Sequence, residues 1–405
     1  MKLSTKRKVD YVVGGIGIFL LHPWVTLLGK ILRRDHSAVI KEHALVIKML
    51  GGGSLVIALP ALLGLRRKYP GIRLSLASTK TVKPFAEVLS IFDDIMIIDD
   101  KSIITLLGSG IRLLFRLFGV DTVFDFEVYS RLSTVLSVLL CARNRIGFYL
   151  ESTVWRNRIS THLIFFNRFS GSFNFYEAAV ATVGAEPVNL SECGLHVARA
   201  NRIPVKERLS RCERVTVEQE AQRICISPSC SELGKERMLR ASQWVLILRK
   251  LVVNATSVVI LGGADDSAVG EELVQQGRQI GPEVSWINAC DGRSLQQSLE
   301  LLAGCSRLLA VDSSVLHFGR LFGIPTVSFW GPTDPATRLR EVEGSADTFW
   351  YEKVPCSPCV HIAHTLPCGG RNVCIDATVR RFCGEDSRAI RETLSPFSFV
   401  RINCR

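Results

Sequence analysis

The sequence predicts an α/β protein with two Rossmann-like, doubly wound domains. Its 405 residues are enough for two domains with separate hydrophobic cores. Hydrophobic residues make up 47% of the chain and charged residues 22%, a balance typical of globular proteins. Short apolar runs alternate with longer amphipathic stretches in two regions, and a charged stretch over residues 190–222 separates them. Such alternation is typical of parallel βαβ units with right-handed crossovers.

The first region of alternation predicts five strands. We expect them over residues 44–50, 72–77, 95–98, 122–126 and 145–149. Three glycines, Gly51, Gly52 and Gly53, follow the first strand and indicate a tight turn or the close approach of a ligand. Ser54 is a candidate N-cap for the helix that comes next.

The second region also predicts five strands. They are expected over residues 223–227, 257–262, 285–287, 307–311 and 326–329. Doubly wound sheets bind ligands at the carboxyl ends of their strands. We divide the chain into a basic, apolar segment over residues 1–40, a first Rossmann-like domain over 41–205, a second over 206–345 and a cysteine-rich segment over 346–405.

The N-terminal segment contains an uncharged run over residues 11–29, with basic residues on both sides. No small-residue cleavage site follows it, which argues against a removable signal peptide. The run is near the lower length limit for a membrane span, and Pro23 lies within it. We expect a monotopic or re-entrant anchor on anionic headgroups. A helix packed on the first domain and a true span remain as alternatives.

The formal charge of +12 suits an acidic partner. Among acidic partners, an anionic membrane surface and a phosphorylated substrate are the ones we expect. No RNP, zinc-finger or basic-helix motif is present, so we expect no nucleic-acid partner.

The chain has 13 cysteines, an odd number spread along its length, which favours a reducing compartment and buried thiols. The densest group is Cys356, Cys359, Cys368 and Cys374. It is compatible with a tetrahedral zinc site, with a redox pair or with ordinary buried thiols. We expect no metal, because the later spacings do not form a second CxxC.

The strongest chemical motif follows the strand over residues 307–311. Asp312 ends this strand, and Ser313 and Ser314 open the next helix, whose unsatisfied N–H groups suit a phosphate. His317 lies one turn further on. The same residues also fit an ordinary helix cap and a core histidine. Asp265 follows another strand, in a glycine-containing loop, where a carboxylate can accept hydrogen bonds from a ribose.

Residues 312–317, 323–327 and 330–335 together resemble glycosyltransferase family 9, the ADP-heptose:lipopolysaccharide heptosyltransferases. Members carry Asp-[Ser/Thr]-Gly-x-x-His, then Gly-Ile-Pro-x-Val, then Phe-Gly-Pro-Thr-x-Pro. Residues 48–71 also resemble the opening strand, loop and Tyr-Pro-Gly turn of that family, and Cys356 and Cys359 resemble a cysteine pair of many members.

The resemblance implies a GT-B fold, with the two domains facing a central cleft, and inverting transfer that needs no metal or other cofactor. It implies ADP-heptose as donor, bound by the second domain, and a lipopolysaccharide core or related glycan as acceptor, bound by the first. The charge of +12 and the N-terminal segment favour an anionic glycolipid acceptor at the inner face of the cytoplasmic membrane. The residues that match the donor contacts of the family are Ser229, Arg237, Asp265, Asp312, Ser313, Ser314 and His317. Arg237 stands where members usually have a phosphate-binding lysine, and it can make a bidentate phosphate contact.

Two positions depart from the family pattern. Ser314 replaces a glycine, which narrows the space near the donor. Ser54 replaces the aspartate expected to act as general base, and a serine with an ordinary pKa cannot take a proton at neutral pH. Glu127, after the fourth strand, is our substitute base. The alternatives are a member that binds nucleotide sugar without catalysis and a GT-B-like sugar-nucleotide epimerase.

Overall fold

The computed structural model describes residues 1–32, 37–205, 222–252, 255–342, 345–360, 362–363 and 366–385. These residues belong to two compact units, Met1–Asn189 and Leu190–Arg405. The expected boundary at residue 205 differs from this division. Residues 190–201, expected in the first domain, form a helix of the second unit.

Unit 1 is built on a parallel sheet of six strands in the order β3-β2-β1-β4-β5-β6. The strands are β1 His43–Ile47, β2 Arg73–Ser78, β3 Asp94–Ile97, β4 Thr122–Asp125, β5 Asn144–Tyr149 and β6 His162–Phe165. Ile47 lies beside Ala77 of β2 and Asp125 of β4, so the carboxyl ends of these three strands share one edge of the sheet.

Seven helices of unit 1 lie in the described residues: α1 Leu3–Leu32, α2 Gly52–Ile57, α3 Leu59–Lys68, α4 Lys83–Leu89, α5 Ile103–Leu117, α6 Arg131–Leu139 and α7 Ser172–Ala181. α5 begins with a capping box at Ser102, whose hydroxyl accepts from the Thr105 N–H. The inner side of α5 packs into a core of sheet residues through Leu113 and Leu117.

Unit 2 repeats the design with a parallel sheet in the order β12-β11-β10-β7-β8-β9. The strands are β7 Gln222–Ser227, β8 Ala255–Ile260, β9 Ser285–Asn288, β10 Arg307–Val311, β11 Thr326–Trp330 and β12 Thr348–Tyr351. The described helices are α8 Leu190–Asn201, α9 Ala241–Leu251, α10 Ser267–Ile280, α11 Leu295–Ala303, α12 Ser314–Leu321 and α13 Val373–Cys383. The core of this unit contains the fully buried Trp244, which meets Phe329 edge-on.

The fold class predicted from the sequence is confirmed, but four elements were not predicted. β6 and β12 are strands of four residues at the sheet edges and are only partly buried. Three residues of each are apolar or aromatic, but runs this short do not distinguish a strand from the irregular stretch around it. α8 was taken for a charged linker because its buried stripe is narrow and contains small residues such as Gly194 and Ala198. α13 lies in the cysteine-rich segment, where no helix was expected.

The predicted cap at Ser54 is wrong. α2 begins two residues earlier, with Gly51 as its N-cap in a left-handed conformation (φ 81°) that favours glycine. A side chain on Gly52 would collide with the Phe85 ring. The glycine run is therefore set by backbone conformation and packing, and Ser54 lies within the first turn of the helix.

α1 is docked on α6. The Asp10 carboxylate accepts hydrogen bonds from the Ser130 hydroxyl at 2.6 Å and from the Arg131 and Leu132 N–H groups at 3.0 Å, so it caps the N-terminus of α6. Gly14 lies against Arg131 so closely that a Cβ would be 2.5 Å from the Arg131 Cβ. By length and composition α1 is also apolar enough to cross a membrane.

We predict that Gly64→Ala destabilises the protein. A Cβ at Gly64 in α3 would lie 1.8 Å from the Glu186 carbonyl oxygen, so backbone must move. The expected loss in the free energy of unfolding is about 1–3 kcal/mol, measured by urea denaturation. Gly110→Ala in α5 is the matched control, because its Cβ would meet nothing within 4 Å. An equal loss in both variants would contradict this role of close packing at Gly64.

Candidate functional site

Three buried hydroxyl groups follow three neighbouring strands of unit 2. Ser229 follows β7, Ser313 follows β10 and Thr333 follows β11. β10 pairs in parallel with both β7 and β11, so these loops leave the same edge of the sheet. Each hydroxyl oxygen is buried without a hydrogen-bond partner among the described residues. Buried hydroxyls are normally paired, so three unpaired ones at one edge make it a candidate binding site for a polar ligand.

An ion pair between Arg237 and Asp312 lies at this edge. Arg237 Nη1 is 3.0 Å from Asp312 Oδ2, and the two side chains are only 11% and 4% exposed. Burial acts to raise the pKa of Asp312, but Arg237 and, next, Arg338 outweigh it and hold that pKa below its ordinary value. Asp312 is therefore a carboxylate that fixes the guanidinium, and Arg237 is held in the position that the resemblance assigns to a phosphate ligand.

The loop that carries Arg237 is tightly packed. Arg237 Nε donates to the Gly234 carbonyl oxygen at 3.1 Å, and a Cβ on Gly234 would lie 2.9 Å from that Nε. Cys230 Sγ contacts the same carbonyl oxygen at 3.0 Å. Burial raises the pKa of Cys230, which keeps the thiol protonated. A glycine at 234 is thus a requirement for placing the arginine.

The N-cap residue of α12 is Ser313. Asp312, which the sequence also allowed as an ordinary helix cap, lies one residue before it. Ser313 has extended backbone angles, but its side chain makes no capping hydrogen bond. An N-cap serine usually accepts from an N–H group of the first turn. The Ser313 hydroxyl is instead buried and has no partner among the described residues, so it remains available to a ligand beside Ser314.

His317 is buried one turn into α12. Burial lowers its pKa to about 4, and the guanidinium groups of Arg320 and Arg338 act in the same direction, whereas Asp312 acts against them. The imidazole is therefore neutral near pH 7, and it can donate or accept one hydrogen bond but cannot serve as a cation.

The cysteine-rich segment supports the loop after β11. The Cys359 and Val360 N–H groups donate to the Pro332 carbonyl oxygen at 3.0 and 3.1 Å. The Thr378 hydroxyl of α13 donates to the Trp330 carbonyl oxygen at 2.7 Å. These bonds hold the backbone beside Thr333, so the segment serves the site as a structural brace.

The cysteines themselves are buried thiols. Burial raises the pKa of Cys359 to about 11 and that of Cys374 to about 12, and it also raises the pKa of Cys356. In the described part of the chain, no group of three or more His, Cys, Asp or Glu side chains is arranged to hold a metal ion. The thiols of Cys356, Cys359, Cys368 and Cys374 nevertheless lie close enough together for neighbouring thiols to raise the pKa of Cys356, Cys359 and Cys374 further.

Two residues at the edge were not singled out from the sequence. Thr333 belongs to the Gly-Pro-Thr motif, but only the structure shows its unpaired, buried hydroxyl. Arg338 acts electrostatically on both Asp312 and His317. Asp265 lies on the exposed short turn Ala264–Asp266 after β8, the next strand beyond β7. Asp265 therefore lies farther along this edge of the sheet than the buried residues Ser229, Ser313 and Thr333.

In unit 1, Glu127 fixes the loop that precedes α2. Its Oε1 accepts from Lys48 Nζ at 3.1 Å and from the Met49 and Leu50 N–H groups at 2.8 and 3.1 Å. Burial by itself lowers the pKa of Lys48, but Glu127 outweighs it and raises that pKa. All the hydrogen bonds that the described residues make to this carboxylate reach Oε1. Glu127 therefore holds the backbone that leads to Gly51 and Ser54.

A buried ion pair between Arg156 and Asp125 holds the backbone of Glu127. Arg156 is completely buried, and its Nη2 lies 3.0 Å from Asp125 Oδ2 and donates to the carbonyl oxygens of Glu127 and Ser130. Removing one partner of such a pair leaves a buried, uncompensated charge, which costs about 3–5 kcal/mol. The loop after β4 is thus rigidly attached to the core of unit 1.

The two parallel sheets and their solved neighbours define a class of fold, that of the GT-B glycosyltransferases. Residues 133–368 match the family model for glycosyltransferase family 9 (heptosyltransferase), which is more than half of the chain. The protein belongs to this family.

Curated relatives match over a limited part of their length. The chain is 26% identical over 126 residues to lipooligosaccharide heptosyltransferase 2 of Haemophilus influenzae, covering 28% of this chain and 35% of the relative. It is 23% identical over 130 residues to lipopolysaccharide heptosyltransferase 2 of Escherichia coli, covering 32% and 36%. These matches thus span about a third of each relative.

Solved structures match over much more of the chain. The E. coli ADP-heptose lps heptosyltransferase II superposes with a TM-score of 0.55 at 14% identity, covering 84% of this chain and 99% of that one. An E. coli heptosyltransferase solved with ADP-2-deoxy-2-fluoro heptose gives 0.58 at 12% identity, covering 84% and 98%. At these identities the likeness establishes the fold.

We predict that His317 makes the stability of the protein depend on pH. Its pKa is about 4 in the folded protein, against an ordinary value of 6.5, so the unfolded chain binds the proton first as pH falls. Between pH 6.5 and 4 the free energy of unfolding should therefore drop by up to about 3 kcal/mol more than in His317→Gln. Urea denaturation across this range measures the difference. Parallel curves for the two proteins would refute a buried, neutral histidine.

Proposed function

We propose that this protein is an inverting, metal-independent glycosyltransferase that moves heptose from ADP-heptose to a lipopolysaccharide core or a related cell-surface glycan. Membership in glycosyltransferase family 9 supports sugar transfer. The names of the matching relatives, and the ADP-sugar in one matching structure, support the choice of donor and acceptor.

One observation carries the proposal: the buried, unpaired hydroxyls of Ser229, Ser313 and Thr333 at the edge that also holds Arg237. A diphosphate supplies many acceptor oxygens and satisfies such donors at once. Arg237 and the N–H groups at the start of α12 then stabilise the negative charge that grows on the leaving nucleotide. In this arrangement a neutral His317 donates a hydrogen bond, and Asp265 accepts from the ribose.

The acceptor half of the reaction is assigned to the loop at Gly51–Ser54 of unit 1. An inverting transfer needs a base that takes the proton from the acceptor hydroxyl as it attacks the anomeric carbon. Ser54 stands where the family has that base and cannot perform the role. Glu127 takes its place in our proposal, with Oε2 receiving the proton while Oε1 stays bonded to the loop.

We predict that removing the unpaired hydroxyls weakens nucleotide binding without weakening the fold. Ser229→Ala, Ser313→Ala and Thr333→Val should each lower ADP affinity about five- to tenfold, the value of one lost hydrogen bond. Their free energies of unfolding should stay equal or rise, since no partner among the described residues is lost. Isothermal titration with ADP and urea denaturation measure the two quantities.

Ser78→Ala is the matched control for these variants. The Ser78 hydroxyl is also buried, but it donates to the Lys48 carbonyl oxygen at 2.6 Å in unit 1. This variant should lose stability and keep its ADP affinity. If the three hydroxyl variants bind ADP as well as the parent protein, the donor edge is wrongly assigned.

We predict that Glu127→Gln lowers sugar transfer at least about a hundredfold, the usual contribution of a general base. Glutamine keeps an oxygen for the Met49 and Leu50 N–H groups, so the loop is retained while the base is removed. Lys48→Met breaks the same ion pair but keeps the carboxylate, so it should reduce turnover far less. Equal losses in the two variants would assign Glu127 to loop positioning instead of proton transfer.

A second candidate function is nucleotide-sugar binding without transfer. Serine at the expected position of the base favours it, because the donor edge is complete while the acceptor loop lacks its acid–base residue. ADP-heptose binding with no transfer to any lipid acceptor, in the parent protein as well as in Glu127→Gln, would select this candidate.

We further propose that the protein acts at the inner face of the cytoplasmic membrane. The apolar α1, with basic residues at its ends and a formal charge of +12 on the chain, supports a peripheral attachment to anionic lipid. A glycolipid acceptor would then be presented at the same surface.

A further inference from the structure

The outer side of α5 exposes a continuous apolar stripe. Its members recur at helical spacing and are Ile104, Leu107, Ile111, Phe115 and Phe118. Ile104 is 82% exposed and Phe115 is 84% exposed. The inner side of the same helix is also apolar, with Leu113 and Leu117 in the core of unit 1. A soluble helix usually presents polar residues outward, so this stripe indicates a partner that is itself apolar.

α1 presents a second apolar stripe. One side of this helix is held on α6 by Asp10, Gly14 and Gly17. The other side exposes large apolar residues, which include Val13, Ile16, Phe19, Leu20, Trp24 and Leu28.

The two helices belong to one surface of unit 1. The N-terminal amine of Met1 donates to the Lys101 carbonyl oxygen at 2.9 Å, and Lys6 pairs with Asp100, just before α5 begins. Both helices also pack on α6, and Leu139 at the end of α6 is 41% exposed. The N-terminal ends of α1 and α5 therefore lie close together, and both helices pack against α6.

The charges of this surface select an anionic occupant. α5 contains Arg112 and Arg116 and no acidic residue. Asp10 is the single acidic residue of α1, and its carboxylate is hydrogen-bonded at the N-terminus of α6. Arg7 and Lys8 are exposed near the start of α1. A basic rim on an apolar stripe is the pattern of helices that lie in the interface of an anionic bilayer.

The docking of α1 favours an in-plane position over a span. Contacts with α6 and with the loop before α5 extend from Met1 to Gly17. The helix beyond Ile18 has about 14 residues, or about 21 Å at 1.5 Å per residue. This length is shorter than the roughly 30 Å of the hydrocarbon core. Crossing a bilayer would require α1 to leave α6 and to uncover Asp10.

We propose that α1 and α5 together form a membrane-binding surface, with α5 as a second in-plane helix that inserts Ile104, Leu107, Ile111, Phe115 and Phe118 at the headgroup–acyl boundary of an anionic bilayer. It deepens the proposed function, on which it rests, by placing unit 1 and its Ser54 loop on the membrane that carries the acceptor. α5 reaches lipid independently of the residues assigned to donor binding.

The test is flotation of the full chain with vesicles of phosphatidylethanolamine and phosphatidylglycerol, compared with phosphatidylcholine alone. Ile104→Gln/Phe115→Gln should lower the partition coefficient at least about tenfold. Arg112→Gln/Arg116→Gln should lower it mainly on the anionic vesicles, about fivefold per charge. All four side chains are exposed, so the fold should be retained.

Ile287→Gln/Phe349→Gln is the matched control. These residues are an exposed isoleucine and an exposed phenylalanine on the edge strands of unit 2. The control should float like the parent protein. Equal flotation of the α5 variant and the parent would overturn the role of α5, and so would an equal loss in the control.

Three further readouts separate the alternatives. Alkaline carbonate should release the bound protein, whereas resistance would show that α1 spans the bilayer and would overturn the in-plane arrangement. A dimer that the α5 variant converts to monomer, with flotation unchanged, would assign the stripe to a second copy and overturn its role in lipid binding. ADP affinity should be equal in the parent and in Ile104→Gln/Phe115→Gln, so a failure of membrane binding stays distinguishable from a failure of the donor site.

Discussion

Parallel pairing of β10 with β7 and β11 is the constraint on which the donor edge depends. Because all three strands run in the same direction, their following loops must leave the sheet side by side. Ser229, Ser313 and Thr333 therefore follow neighbouring strands at one edge of the sheet. The buried ion pair of Arg237 and Asp312 then fixes a cation at the same edge, where a single carboxylate holds it.

The loop after β4 in unit 1 and the loops after β7, β10 and β11 in unit 2 differ in how their buried polar groups are paired. In unit 1, the fully buried Arg156 is paired with Asp125 and with backbone carbonyl oxygens, so the loop after β4 is rigid. In unit 2, hydroxyls next to the ion pair are buried and left without partners among the described residues. A folded protein keeps such unpaired groups at a cost of about 1–3 kcal/mol each. In the proposed function, the diphosphate of the donor would recover that cost for Ser229, Ser313 and Thr333.

Each of the helices α1 and α5 has one apolar side that packs on the protein and another that is exposed. The Asp10 cap and the glycines of α1 hold it on α6, and the inner leucines of α5 hold that helix on the sheet. Each helix then has a remaining apolar side that the described residues of unit 1 leave exposed. The N-terminal run resembles an anchor in the sequence because it lacks charge. In the structure its apolar residues are divided between a contact with α6 and an exposed side.

The sequence by itself determined the fold class, most of the strands and the motif at Asp312–His317, because these depend on local periodicity and short spacing. Tertiary structure decided which polar groups meet. Ser313 stands at the start of α12 in the sequence prediction and in the structure, but only the structure shows that its hydroxyl does not cap this helix. Asp10 caps a helix far along the chain, and Glu127 holds a loop before α2, and no local pattern encodes either contact. The edge strands β6 and β12 were not predicted because an apolar run of three or four residues fits a loop as well as a strand until its pairing partner is known.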